Sequence, residues 1–178
     1  MQKIDYKAEV CPGCGQSTTY LLGIDRGTVD ILKAIATAIR KKEINCVHPR
    51  KEMEIGHDQL DYFTMVREGK LTSNHVGNLS RPRFHGLIAK IKGKDMAGNY
   101  CLTSKGARFL KGEQIPKYAI ISKEAKHQIG YYDDDVHFCT IKDFLPDVEY
   151  WEGIDFQIKS GEIIKDINAY NKAQDRLI

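Results

Sequence analysis

Hydrophobic positions in the first third of the chain recur with helical spacing. Within 28–43, Ile31, Leu32, Ile35, Ala38 and Ile39 return at three- and four-residue steps, while Lys33, Thr37, Arg40 and Lys41 fall on the other side. That pattern predicts an amphipathic helix with one buried stripe. Asp30 in its first turn and the run Arg40, Lys41, Lys42 in its last both suit the helix dipole. A shorter helix is expected over 59–68, with Asp58 as N-cap, Leu60, Phe63 and Val66 facing inward, and Gly69 as terminator. A third polar and basic segment, 72–85, closes on Gly86, Leu87 and Ile88, but Pro82 removes a backbone donor within it. Two arrangements fit: a helix kinked near Ser80, or a short helix capped by Ser80 that begins at Arg81 with Pro82 in its first turn.

Strand-like runs at 87–91 and 100–103 follow, flanking a loop at 92–99 that carries Gly93, Asp95, Gly98 and Asn99. These are the turn residues of a hairpin tip. Beyond it the pattern predicts strands at 118–122, 127–132 and 136–139, with turns at 123–126 and 133–135. Thr140 is expected to cap a short helix through Phe144 that Pro146 stops, and 148–159 with 162–167 suggests a further hairpin.

The ending Leu102-Thr103-Ser104-Lys105-Gly106, followed by Ala107, Phe109 and Leu110, is similar to the LTxKGxxxL close of the wing in MarR-like and PadR-like regulators. The stretch 71–112 as a whole resembles the second half of a winged helix-turn-helix. The resemblance implies an α+β chain, with a winged helix-turn-helix domain at 25–112 between an N-terminal arm at 1–24 and a small β-rich C-terminal extension at 113–178.

Charge sharpens this. Residues 67–111 carry ten Lys and Arg against two Asp and Glu, whereas 133–178 carry five against eleven. Basic excess of this kind is the footprint of a surface facing phosphates; the alternative is a solvated Lys-rich face. The resemblance places Ser73, Asn74, His75, Asn78, Arg81 and Arg83 on the recognition segment and Lys90, Lys92 and Lys94 on the wing. Asn pairs bidentately with adenine and Arg with guanine, while Ser and Lys more often hold phosphates. The competing reading makes some of these solvated, with His75 and His85 completing local hydrogen bonds.

At the N-terminus, Cys11-Pro12-Gly13-Cys14-Gly15 is similar to the zinc knuckle of ribbons and rubredoxin-like sites, in which two thiolates meet one metal from a tight turn. A closed site needs two more ligands. Cys46 and His48 are the expected pair, with His57 as substitute, because a C-x-H pair in an extended segment needs a bend to use both side chains. Zinc bound by Cys11, Cys14, Cys46 and His48 would be structural, having no open position. The alternative is a redox-active or inert C-x-x-C, although Gln16 to Tyr20 lacks the helical pattern a thioredoxin-like motif requires. Cys101 and Cys139 lie in apolar runs and are expected to be buried small residues.

No apolar run approaches the length that spans a bilayer, and 1–5 lacks the pattern of a secretory signal. The expectation is a cytoplasmic protein whose five cysteines are thiols or metal ligands. Asp147, Asp155, Gln157 and Lys159 resemble the carboxylates and Lys of metal-dependent nucleases, yet the alternation through Ile154, Phe156 and Ile158 is that of any half-buried strand. The function expected is therefore non-enzymatic: a zinc-stabilised transcriptional regulator binding double-stranded DNA as a homodimer. The alternative is an adaptor or inhibitor that binds a protein partner through its acidic C-terminal part. Fold alone does not choose between them.

Overall fold

The computed structural model of the chain describes residues 6–42, 44, 46–61, 64–65, 68–91, 97–126, 128–132 and 137–144. It is an α+β arrangement of helices and several small sheets. In chain order the elements are β1 (Thr19–Gly23), α1 (Arg26–Lys42), α2 (Pro49–Glu52), β2 (Ile55–Gly56), β3 (Leu71–Thr72), α3 (Ser73–Gly77), α4 (Ser80–Phe84), β4 (Ile88–Lys90), β5 (Tyr100–Leu102), α5 (Ser104–Leu110), β6 (Ile115–Pro116), β7 (Tyr118–Ser122), β8 (Gln128–Tyr131), β9 (Phe138–Cys139) and a 3-10 turn (Ile141–Phe144). The expected acidic turn at 133–135, the hairpin at 148–167 and the Asp147, Asp155, Gln157 and Lys159 constellation lie outside the described residues. No helix among the described residues is long and apolar enough to cross a membrane.

Helix α1 starts two residues earlier than its periodicity predicts, because Asp25 caps it. The Asp25 Oδ1 accepts from the Thr28 backbone N–H at 2.8 Å and from the Thr28 hydroxyl at 2.7 Å, satisfying a first-turn donor that has no intrahelical partner. Asp30, expected in the first turn, instead lies beyond it, 8% exposed and accepting from Arg26 Nε at 2.9 Å. Lys33 and Thr37, expected on the polar side, are also buried. The physical reason is that more than one layer covers α1: α4, β5 and the 3-10 turn all pack against it.

Asp61, rather than Asp58, caps the next helical residues, its Oδ1 accepting from the Thr64 N–H at 2.7 Å. Thr64, Met65 and Glu68 are helical, and the Gly69 N–H returns to Met65 O at 3.0 Å. The proline-containing segment is two short helices broken at Asn78 and Leu79. Leu79, not Ser80, is the N-cap of α4 and makes no side-chain bond there. Pro82 is the third residue of α4, where a missing N–H costs little because first-turn donors lack intrahelical acceptors.

Strands β4 and β5 pair antiparallel as Ile88 with Leu102, Ala89 with Cys101 and Lys90 with Tyr100, slightly shorter than the expected runs. Val47 adds an isolated antiparallel bridge on the other side of β5, exchanging two backbone hydrogen bonds of 2.9 Å with Tyr100. At the end of this hairpin, the Thr103 hydroxyl caps α5 by accepting from the Gly106 N–H at 3.0 Å. Gly106 is required there, since a Cβ would collide with the Leu87 carbonyl oxygen. Phe109 and Leu110 then join Leu32, Ile35, Leu87 and Ile88 in the core, all fully buried.

A second sheet has the order β1-β7-β8, both pairings antiparallel, with Thr19 opposite Ser122 and Ala119 opposite Tyr131. Thus a strand from segment 1–24 pairs with a strand from segment 113–178. Strand β9 pairs with β6, and the Thr140 N–H bonds Asp143 Oδ2 at 2.6 Å to start the 3-10 turn.

Candidate nucleic-acid interface and cysteine turn

Helix α3 presents a polar face because its cap fixes where it begins. The Thr72 hydroxyl accepts from the His75 N–H at 3.1 Å, and the imidazole Nδ1 faces the Thr72 N–H at 3.3 Å, a reciprocal capping box. His75 is thereby committed to local structure, as the competing reading of the sequence anticipated. Burial lowers its pKa, with Asp30 and Asp58 opposing. Ser73, Asn74 and Gly77 are exposed and Asn78 is half-buried, and residues four apart stand one above the other on a helix. The Asn78 amide donates to Asn74 O at 2.9 Å and to Asn74 Oδ1 at 3.0 Å, so the two amides form one polar unit.

Arg81 forms an ion pair with Asp25, linking α4 to the capping residue of α1. The Arg83 guanidinium lies 5.1 Å from the centre of the Phe84 ring. Lys90 is exposed on the hairpin, while Lys92 and Lys94 lie outside the described residues. The structure thus places Ser73, Asn74 and Asn78 together, and engages His75 and Arg81 within the chain.

The 11–15 segment is a tight turn. The Gly15 N–H donates to Cys11 O and the Cys11 N–H to Gln16 O, both at 2.8 Å, and Val10 bridges Ser17. Gly15 adopts φ +68°, a left-handed conformation glycine takes without steric cost. The backbone amides of Cys14 and Gly13 and the Cys14 side chain hold the Cys11 thiol below its usual pKa. Two cysteines on one tight turn have the C-x-x-C spacing that can supply half of a tetrahedral zinc site.

Cys46 and His48 lie elsewhere, around the β4–β5 hairpin. The Cys46 Sγ is 3.9 Å from Asn99 Oδ1, and His48 packs so closely on Gly98 that a Cβ there would strike its Nε2. His57 is exposed. Among the described residues, no group of three or more His, Cys, Asp or Glu side chains stands close enough to hold a metal ion. Cys101 and Cys139 are each 3% exposed, and burial pushes their thiols up to about 11 and about 12.

No family model matches the chain, and no curated protein or solved structure matches it either.

One polar cluster escaped the sequence pattern. Lys105 Nζ donates to Tyr131 Oη at 2.6 Å, and Tyr131 Oη donates to His85 O at 3.2 Å, tying β8 to both ends of the hairpin. Burial lowers the Lys105 pKa to about 8. Burial also drives the fully buried His85 to about 3, with Lys105 adding to the shift and the Gly23 backbone opposing it. Among the described residues, neither His85 ring nitrogen has a hydrogen-bond partner. Lysine and tyrosine separated by 26 residues give no linear signal, which is why periodicity misses the pair.

Proposed function

We propose that the protein is a winged-helix DNA-binding protein, a cytoplasmic transcriptional regulator, in which α3 enters the major groove and the β4–β5 hairpin is the wing. The observation that carries this reading is the outward polar face of Ser73, Asn74, Gly77 and Asn78. It is followed by α4, which packs against β4 of an antiparallel hairpin, within the segment that holds ten basic against two acidic residues. An amide pair on a groove-facing helix suits the adenine edge, and lysines along the hairpin suit phosphates. Arg83 and Lys90 are the side chains best placed to extend the contact. Arg81 serves the fold through Asp25 and joins the interface only if that ion pair opens. The 11–15 turn fits a structural zinc site, whose ion would crosslink thiolates without taking part in DNA chemistry.

The test is fluorescence anisotropy against random and selected duplexes across a salt series. Affinity is expected to fall steeply with salt, and Lys90→Ala to weaken all duplexes while reducing the magnitude of the salt slope by about 1. Asn74→Ala is expected to cost about 1–3 kcal/mol on the preferred duplex and much less on others. Absence of duplex binding at low salt would overturn the reading. Recovery of one stoichiometric, nuclease-insensitive protein partner in its place would favour the adaptor.

A further inference from the structure

Antiparallel pairing sets two cysteines that are far apart in the chain opposite each other. Val47 and Tyr100 exchange both of their backbone hydrogen bonds at 2.9 Å, and one step along each strand in opposite senses brings Cys46 opposite Cys101. The position next to such a doubly bonded pair is a non-hydrogen-bonded one, where Cα atoms approach to about 4.5 Å and the two side chains share a face. Disulfides span Cα separations of about 4.4–6.8 Å, so this register suits one. The Cys46 side chain takes the required face. Its Sγ lies 3.9 Å from Asn99 Oδ1, and Asn99, two residues from Cys101, projects to the same side of an extended strand as Cys101 does. The sulfurs also feel each other: burial first, and Cys46 after it, raise the Cys101 thiol, with the Ala89 backbone opposing. Cys46 is half-buried and Cys101 buried, so a dissolved oxidant meets Cys46 first.

We propose that Cys46 and Cys101 are a dithiol pair that hydrogen peroxide closes to a reversible disulfide, stapling the α1–α2 connection to the β4–β5 hairpin. The inference is independent of the DNA and zinc readings, since it asks nothing of α3 or of the 11–15 turn. In the first step the Cys46 sulfur attacks the peroxide O–O bond, giving a sulfenic acid and one water. The Cys101 sulfur then attacks Cys46 Sγ, forming the S–S bond and expelling the hydroxyl, which leaves as a second water with the thiol proton. Two thiols thereby lose two electrons and two protons, and one peroxide becomes two waters. Closure turns the Cys101 side chain away from the Ala89 carbonyl, which its Sγ meets at 3.5 Å, a weak bond to give up. Cytosolic thiol pools keep such pairs reduced, so the bond belongs to oxidising conditions and opens again by thiol exchange.

The test treats the native full chain with hydrogen peroxide, blocks remaining thiols and maps the unreduced tryptic peptides. Trypsin separates the thiols: Cys46 falls in peptide 43–50, Cys101 in 95–105, Cys139 in 127–142, and Cys11 with Cys14 in 8–26. The expected product is peptide 43–50 joined to 95–105, lighter than their sum by two hydrogens. Oxidation should also raise the urea midpoint, because the crosslink restrains the unfolded chain, and dithiothreitol should return it. Cys46→Ser should abolish the linked peptide and the shift, whereas the double variant Cys11→Ser/Cys14→Ser should keep both. If a variant fails to fold, the peptide map of the unaltered chain decides alone. Recovery of Cys101 as a free thiol after peroxide treatment, or a bond confined to Cys11 and Cys14, would overturn the proposal. So would a linked product whose urea midpoint is unchanged or lowered, since the bond would then form at the expense of native pairing.

Discussion

At the scale of single residues, two helical glycines have opposite roles. Gly106 lies against the Leu87 carbonyl, where a methyl group has no room. Gly106→Ala is therefore expected to destabilise the fold by about 1–3 kcal/mol, read as a lower urea midpoint. Gly77 meets nothing within 4 Å of a Cβ and has no positive φ, so the chain itself gives no reason for glycine there. Gly77→Ala should raise stability by about 0.5–1 kcal/mol, yet weaken duplex binding, because the added methyl stands on the face proposed to enter the groove. Unchanged affinity would remove that face from the interface. His85 gives a pH prediction. Its pKa falls from an ordinary 6.5 to about 3 on folding, so between those values the unfolded chain holds a proton that the folded chain rejects. This contribution to stability is complete above the ordinary value and declines as pH falls through the window. Urea midpoints should drop on acidification from neutrality, and His85→Leu should flatten that slope. An identical slope in the variant would show that other groups govern it.

At the scale of elements, α1 joins structure to the proposed interface. Asp25 both caps α1 and pairs with Arg81 of α4, so one carboxylate sets a helix start and restrains a basic side chain of the recognition segment. Asn caps as well as Asp but cannot pair as an ion. Asp25→Asn should leave thermal stability nearly unchanged, because half-exposed ion pairs contribute little, while increasing duplex affinity as Arg81 is released. Reduced affinity in that variant would mean that the ion pair orients α4 for binding. Helix capping depends on the chain path in the same way. Asp58 and Asp61 are equivalent by residue type, and only the observed chain path shows that Asp61 meets the Thr64 N–H.

At the scale of the whole molecule, segments far apart in the chain are joined by packing that no local pattern announces. Strand β1 pairs with β7 across about a hundred residues, and Tyr131 reaches Lys105 and the His85 carbonyl. The amino-acid sequence by itself determined α1, the β4–β5 hairpin, the turn at 11–15 and the burial of Cys101 and Cys139. Each is a local matter: helical or alternating periodicity, turn chemistry, or an apolar neighbourhood within a few residues. The tertiary structure alone decided that Lys33 and Thr37 are covered and that Arg81 is engaged by Asp25. These outcomes depend on which distant surfaces meet, and burial or pairing with a remote partner leaves no periodic trace in the order of residues.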